Sequence, residues 1–294
     1  MTISKVGVLG TGLMGSGIAQ AVAAAGYQTI AREPTQAPLD RGRAAIEKSL
    51  AKLVEKAKLT AADRTAALER LHFTTDLAEL AGCDLVIEAI TEDLELKNQL
   101  WRELDQRCPP QTIFASNTSS LTISAMAAVT NRADRFVGMH FFNPVPLMPL
   151  VEVVRTVTTS ADTFDQAMAF ARSLGKEAVA ARDSSGFIVN LLLVPYMLDA
   201  VRALEHGVAG IADIDTAMRL GCGHPMGPLT LLDFVGLDTA VRIGDIMFDE
   251  YREARYAPPP LLRRMVLAGY LGRKSSKGFY DYSQNPPAPM ELGL

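Results

Sequence analysis

The sequence predicts an α/β fold, a doubly wound parallel sheet, followed by an all-helical domain. Three observations carry this. Short apolar runs of strand length alternate with helical stretches as far as residue 182. The first run passes directly into the glycine string Gly10-Thr11-Gly12-Leu13-Met14-Gly15. Strand patterning then ceases after the turn signal Asp183-Ser184-Ser185-Gly186, and only helical stretches follow.

The first strand, 5–10, contains Val6-Gly7-Val8-Leu9 and is apolar without alternation, as a strand buried on both faces requires. Gly10 permits the tight turn, Gly12 lets backbone approach a pyrophosphate, and Gly15 lets helix and strand pack closely. The helix opened by Leu13 and Met14 would turn its unpaired N–H groups toward phosphate. The second strand, 28–33, ends in Glu33, roughly 20 residues beyond the turn, where an acid accepts hydrogen bonds from ribose hydroxyls. That order is the dinucleotide-binding fingerprint of a Rossmann-type domain. A carboxylate at Glu33 repels a 2′-phosphate, which favours NAD over NADP. The neighbouring Arg32 could accommodate such a phosphate, but adjacent strand residues point to opposite faces and Arg32 reads as solvated.

Residues 36–71 form a long polar helical insertion, predicted as a hairpin that bends at Lys58-Leu59-Thr60 with Thr60 capping its second helix. His72 reads as part of this polar helical region. Strands at 84–90 and 112–116 follow. On pattern alone, Glu92 and Lys97 read as the charged start of a surface helix, and Ser120 as the cap of a helix starting near Leu121. Residues 135–142 and 149–157 read as two strands around Asn143-Pro144-Val145-Pro146. A helix at 162–174 and a strand at 176–182 complete a first domain, 1–184. In the second, 185–294, the stretch Phe187–Leu204 is apolar nearly all round and should be a buried helix, bent at Pro195. Helices at 211–220, 228–247 and 259–269 follow, and Pro286, Pro287 and Pro289 predict a loose terminus.

The chain has 294 residues, 48% hydrophobic and 21% charged, which fits two globular domains rather than disorder. A net charge of −4 argues against a nucleic-acid partner. No stretch is long and apolar enough to span a bilayer, and the N-terminus lacks the regions of a signal peptide. Cys83, Cys108 and Cys222 are widely spaced and predict unpaired thiols in a reducing, cytoplasmic setting, with no metal-ligand spacing.

Oxidising an alcohol with a nicotinamide needs a base for the hydroxyl proton. Of the four histidines, His140 alone ends an apolar strand on the cofactor side. Glu152 is an acid among Leu150, Val151, Val153 and Val154, so it needs a partner, and His140 and Arg155 are the candidates. Ser119 follows the carboxyl end of a strand, where ligands sit in open α/β sheets, or belongs to a polar capping loop. Asn190 is a lone amide in the apolar helix and requires backbone or ligand partners.

The strings GVLGTGLMGSGIA, DLVIEAITEDLELK, IFASNTSSL, RFVGMHFFNPVP, LVEVV, DSSGFIVN, GHPMGPLTLLDFVGLD and KGFYDY occur in this order between about residues 5 and 282. In these the chain resembles the L-3-hydroxyacyl-CoA dehydrogenases, and among them the short bacterial 3-hydroxybutyryl-CoA type. The resemblance implies a Rossmann-type domain, a helical domain that forms a homodimer, and NAD-dependent oxidation of a 3-hydroxyacyl thioester of coenzyme A. It assigns His140 and Glu152 as the catalytic pair and sets Ser119 against the substrate hydroxyl and the nicotinamide. Asn190 would hold the substrate oxygen. Glu92, Lys97, Asn143 and Lys274 would contact the cofactor, and Ser49 and Lys56 the coenzyme A. The chain departs from the family pattern at Ser185 (usually proline), Ser276 (usually glycine), Pro149 (often lysine) and Leu191 (frequently arginine).

Two other readings fit the same residues. One is a dehydrogenase of a carrier-protein thioester or a sugar acid on this scaffold. The other is a non-catalytic NAD-binding protein, against which the intact set Ser119, His140, Glu152 and Asn190 argues.

Overall fold

A computed structural model describes residues 3–293 and divides the chain into two compact units between Phe187 and Ile188. The first holds an eight-stranded sheet. Its strands are β1 (Lys5–Leu9), β2 (Gln28–Arg32), β3 (Leu71–Thr74), β4 (Leu85–Glu88), β5 (Ile113–Ser116), β6 (Phe136–Phe141), β7 (Leu150–Arg155) and β8 (Glu177–Arg182), in the order β3-β2-β1-β4-β5-β6-β7-β8. Strands β1 to β6 are parallel. The pair β6–β7 is antiparallel because a short loop joins it, whereas a parallel pair needs a crossover.

Alternation along each strand sorts the core into two layers. Val8, Ile87, Ala115, Met139 and Val153 face one layer, which includes residues of α1 (Leu13–Ala24), α2 (Gln36–Glu55) and α6 (Ala161–Ser173). Val86, Phe114, Phe136 and Val154 face the other, with Trp101 of α4 (Leu94–Arg107) and Ile123 of α5 (Ile123–Ala127). The sheet order turns back between β1 and β4. A crevice at the carboxyl ends of the strands is expected at that switch.

The helical insertion is a hairpin, and Thr60 accepts from the Asp63 amide to cap α3 (Ala61–Glu69). It ends earlier than expected. Leu71–Thr74 is an edge strand beside β2, so His72 lies in a strand and pairs with Glu79 at 2.5 Å. Four residues are too few for the alternation of Leu71 and Phe73 to stand out from a helical pattern. The cap of α5 also differs. The Asp183 carboxylate accepts from the amides of Ile123 and Ser124, both at 2.7 Å, and Ser120 is not the cap. That partner lies 60 positions away and is invisible to local reading.

The second unit contains α7 (Val189–Glu205), α8 (Ile211–Gly221), α9 (Pro228–Val235), α10 (Leu237–Tyr251) and α11 (Pro260–Leu267) around an apolar core. The helix predicted over 228–247 is two helices, broken at Gly236, whose φ of +99° no helix accommodates. Two buried carboxylates organise the unit. Asp215 accepts from the amides of Leu229 and Thr230 at the start of α9 and from the Tyr280 hydroxyl. Asp233 accepts from the amides of Phe279 and Tyr280 and from the Tyr282 hydroxyl. Burial pushes the Asp233 carboxyl up to about 6 despite these donors. The tail is therefore fastened rather than loose at its start, and Tyr280–Asp281 pairs with Ala288–Pro289 as a small hairpin, β9 and β10. Among the described residues no helix is long and apolar enough to cross a membrane.

Ser276 stands in the left-handed region, with φ +59°, which accounts for the glycine usual there in the resembling family. Ser276→Gly should raise unfolding free energy by about 0.5–1 kcal/mol, the relieved strain less the entropy of glycine. Equilibrium denaturation checks this, and a lower midpoint for the variant would refute it.

Candidate active site

The glycine turn is shaped both for the protein's own packing and for a ligand. A Cβ on Gly15 would lie 1.8 Å from the Gly10 carbonyl oxygen, and one on Gly10 would lie 2.7 Å from that of Ala89. A Cβ on Gly12 would meet nothing within 4 Å, so open space lies beside this backbone. No side chain caps α1 at Gly12, and Leu13 is 73% exposed in the first turn, with Met14 half-buried behind it. An uncapped helix start beside open space fits a pyrophosphate. The Glu33 carboxylate reaches the same turn and accepts from the Thr11 amide at 2.5 Å and its hydroxyl at 3.2 Å. Gly42 of α2 allows this, since a Cβ there would fall 2.4 Å from the Thr11 side chain. Arg32 is half-buried rather than fully solvated. It donates to the Thr75 carbonyl, and burial lowers its pKa.

Beyond β4 lies a buried ionic cluster. Lys97 on α4 is 1% exposed, which overturns its reading as part of a surface helix. Its ammonium lies 2.5 Å from Glu88 and 3.2 Å from Glu92. Glu88 also accepts from the Ser116 hydroxyl and the Ile90 amide. Glu92 accepts from Thr118, from the Ser119 amide at 3.3 Å and from the Ser120 hydroxyl at 3.2 Å. Burial alone would raise the Glu92 carboxyl, but the Lys97 charge and the Thr118 hydrogen bond hold it below the usual range. The cluster thus fixes the loop that carries Ser119. Ser185, where proline is usual, is buried and donates to the Ser120 carbonyl at 2.7 Å, bracing that loop from another side.

Across β6 and β7 the register sets His140 directly opposite Glu152. Opposed residues share a face of the sheet. His140 Nδ1 lies 2.6 Å from Glu152 Oε2, with the two residues 6% and 1% exposed. Arg155, the other candidate partner, instead donates to the Thr159 carbonyl. The rings of Phe142 and Phe187 lie 4.4 and 5.7 Å from the imidazole and give it an apolar wall. The Asn117 side chain accepts from the Phe141 amide at 2.9 Å, tying the Ser119 loop to the strand of His140. Asn143 is exposed in the loop that follows.

The turn, the ionic cluster, Ser119 and the His140–Glu152 pair all follow or end strands at the carboxyl edge of the first unit's sheet. Ser49, half-buried, and Lys56, exposed at the end of its helix, lie on α2. In the second unit Asn190 is half-buried in the first turn of α7, and Lys274 is exposed and paired with Asp238 at 2.5 Å. Sequence reading passed over Glu88. The signal was there: like Glu152 within its strand, Glu88 is an acid in an apolar run, here at the strand's end.

Removing Lys97 would leave Glu88 and Glu92 as uncompensated neighbours. Lys97→Met should lower stability by about 3–5 kcal/mol. Thermal denaturation measures it, and an unchanged midpoint would show that the cluster carries no such burden.

The family model described as 3-hydroxyacyl-CoA dehydrogenase, NAD binding domain, matches residues 5–184, and that for the C-terminal domain matches residues 186–282. The chain is 50% identical over 282 residues to a 3-hydroxybutyryl-CoA dehydrogenase of Mycobacterium tuberculosis, covering 95% of this chain and 99% of that one. Among solved structures, FadB2 of M. tuberculosis superposes with a TM-score of 0.94 at 50% identity, covering 96% of this chain and all of the other. The (S)-3-hydroxybutyryl-CoA dehydrogenase PaaH1 of Ralstonia eutropha gives 0.93 at 44% identity with 96% of this chain covered and all of its own. This chain belongs to the 3-hydroxyacyl-CoA dehydrogenase family of NAD-dependent oxidoreductases.

Proposed function

We propose that the chain oxidises (S)-3-hydroxyacyl-CoA, with 3-hydroxybutyryl-CoA as its short-chain substrate, to the 3-oxoacyl-CoA, and that His140 is the base. The observation that carries this reading is the buried His140–Glu152 pair at the carboxyl edge of the sheet. The names of the relatives support the substrate class.

NAD, when bound, supplies the hydride acceptor. His140 takes the hydroxyl proton. With Nδ1 engaged by Glu152, the neutral ring carries its proton there and offers the Nε2 lone pair to the substrate. The imidazolium that forms is stabilised by the Glu152 carboxylate, as in other acid–histidine pairs. Phe142 and Phe187 keep water from the ring, which strengthens that attraction. In the reverse direction the same Nε2 returns the proton to the alkoxide.

Ser119, held through its amide by Glu92, donates to the substrate oxygen, and Asn190 is assigned to the same oxygen. Glu33 binds the adenosine ribose, which favours NAD over NADP. Glu92, Asn143 and Lys274 complete the cofactor contacts, with Lys97 acting through Glu92. Ser49 and Lys56 take the coenzyme A, whose phosphates call for cationic partners. The same reading includes a cytoplasmic homodimer formed through the helical unit. Unpaired cysteines and the exposed Leu192, Leu220 and Leu267 support it.

His140→Gln should cut acetoacetyl-CoA reduction by about 10²–10⁴-fold while NADH binding persists. Turnover is read as loss of the absorbance of reduced nicotinamide, and an unaffected rate would remove the base assignment. Glu33→Ala should weaken NADH binding by about tenfold, one charge-assisted hydrogen bond being worth that much. Fluorescence titration checks it, and unaltered affinity would show that the ribose contact is wrong.

A further inference from the structure

We propose that Lys176 is a positioning residue that holds the loop between the His140 and Glu152 strands in its working shape. The proposal rests on the functional reading above and adds a residue to it. Residues 142–149 join β6 to β7, so their conformation governs how the two strands present the catalytic pair. This loop has no regular partner for its backbone. The amides of Leu147 and Met148 both turn back to the Pro144 carbonyl at 2.9 Å. The carbonyls of Val145 and Met148 accept from Lys176 Nζ at 2.6 and 2.8 Å. The next residue extends the brace, because the Glu177 amide donates to the Pro149 carbonyl at 2.6 Å.

Lys176 lies just before β8, directly after the turn at Gly175 that ends α6. Its ammonium therefore reaches the loop from a separate segment of the sheet. On the opposite side, Val145 is buried against α1, where a Cβ on Gly17 would fall 2.9 Å from the Val145 Cβ. The loop is clamped between the helix that opens with the glycine turn and a cation. Among the described residues no carboxylate pairs with Lys176, and burial lowers its pKa from the ordinary lysine value. Two converging carbonyls thus stand in for a counter-ion. Lysine suits the task because one ammonium offers three donors that can be shared between oxygens of different peptides. Removing it would leave both carbonyls to water, and the segment carrying Asn143, Leu147 and Met148 would sample other conformations.

The test compares wild type, Lys176→Met and Lys176→Arg. Met keeps the apolar stem and removes the donors, and Arg keeps charge and donors. Three readings are taken: kcat and KM for acetoacetyl-CoA with NADH, the thermal midpoint, and hydrogen exchange of the Val145, Leu147 and Met148 amides. For Lys176→Met, kcat should fall about tenfold while KM moves less than about twofold, since misplacing a catalytic group costs turnover more than binding. The midpoint should change little, exchange in the loop should quicken, and Lys176→Arg should recover most of both losses. Wild-type kcat and exchange in Lys176→Met would overturn the proposal. So would equal losses in Met and Arg accompanied by a lowered midpoint, the mark of a merely structural residue. If wild type itself turns over no thioester, the functional reading falls, and the exchange comparison alone decides whether Lys176 anchors the loop.

Discussion

A carboxylate almost wholly removed from water is the constraint on which the site depends. Glu152 is 1% exposed in the middle of a strand whose neighbours are all apolar. An ionised group in that position costs several kcal/mol unless a partner offsets the loss of solvent. The antiparallel register of β6 and β7 supplies an imidazole at 2.6 Å. The pair is thus dictated by strand pairing, and slipping the register by one residue would turn every side chain of β7 to the other face. A fold that needs this register to bury Val151 and Val153 also fixes the imidazole.

The rest of the site follows from the sheet order. Where the order turns back between β1 and β4, successive loops leave in opposite directions, the topology that favours a crevice at the carboxyl edge. The glycine turn follows β1, the Glu88–Lys97–Glu92 cluster follows β4, Ser119 follows β5 and His140 ends β6. Glu88, Ser116, His140 and Glu152 share one face of the sheet, the face covered by α4 and α5. Charges meet there under little water, so each is either paired or tied to the backbone. Lys97 illustrates the consequence. Placed on a helix, it restrains the carboxylates of Glu88 and Glu92, and the Ser119 loop, held by Glu92, inherits that rigidity.

Much of this was legible in the sequence, for identifiable reasons. The turn was read because glycine alone tolerates φ +87° at Gly10 and a carbonyl where a Gly15 Cβ would stand. Glu152 was read because a charge within Leu150–Val154 demands a partner, although the choice between His140 and Arg155 was a matter of register. What escaped was set by distant contacts or by very short elements. Glu88 ends a strand and its role depends on a lysine nine positions later turning inward, which helix periodicity alone did not reveal. The β3 strand is four residues long, too short for its alternation to rise above the polar helices before it. The cap of α5 comes from Asp183, beyond three further strands and a helix. Gly236 breaks a helix that apolar spacing continues across.

The central claim is that Glu152 selects one tautomer of His140, leaving Nε2 as the proton acceptor. Isotope-edited NMR of the histidine ring nitrogens, with Glu152→Gln as reference, tests it most directly. In the neutral ring of wild type the proton should reside on Nδ1 with Nε2 unprotonated, and the variant should lose that preference. A neutral ring protonated at Nε2 in wild type would contradict the account.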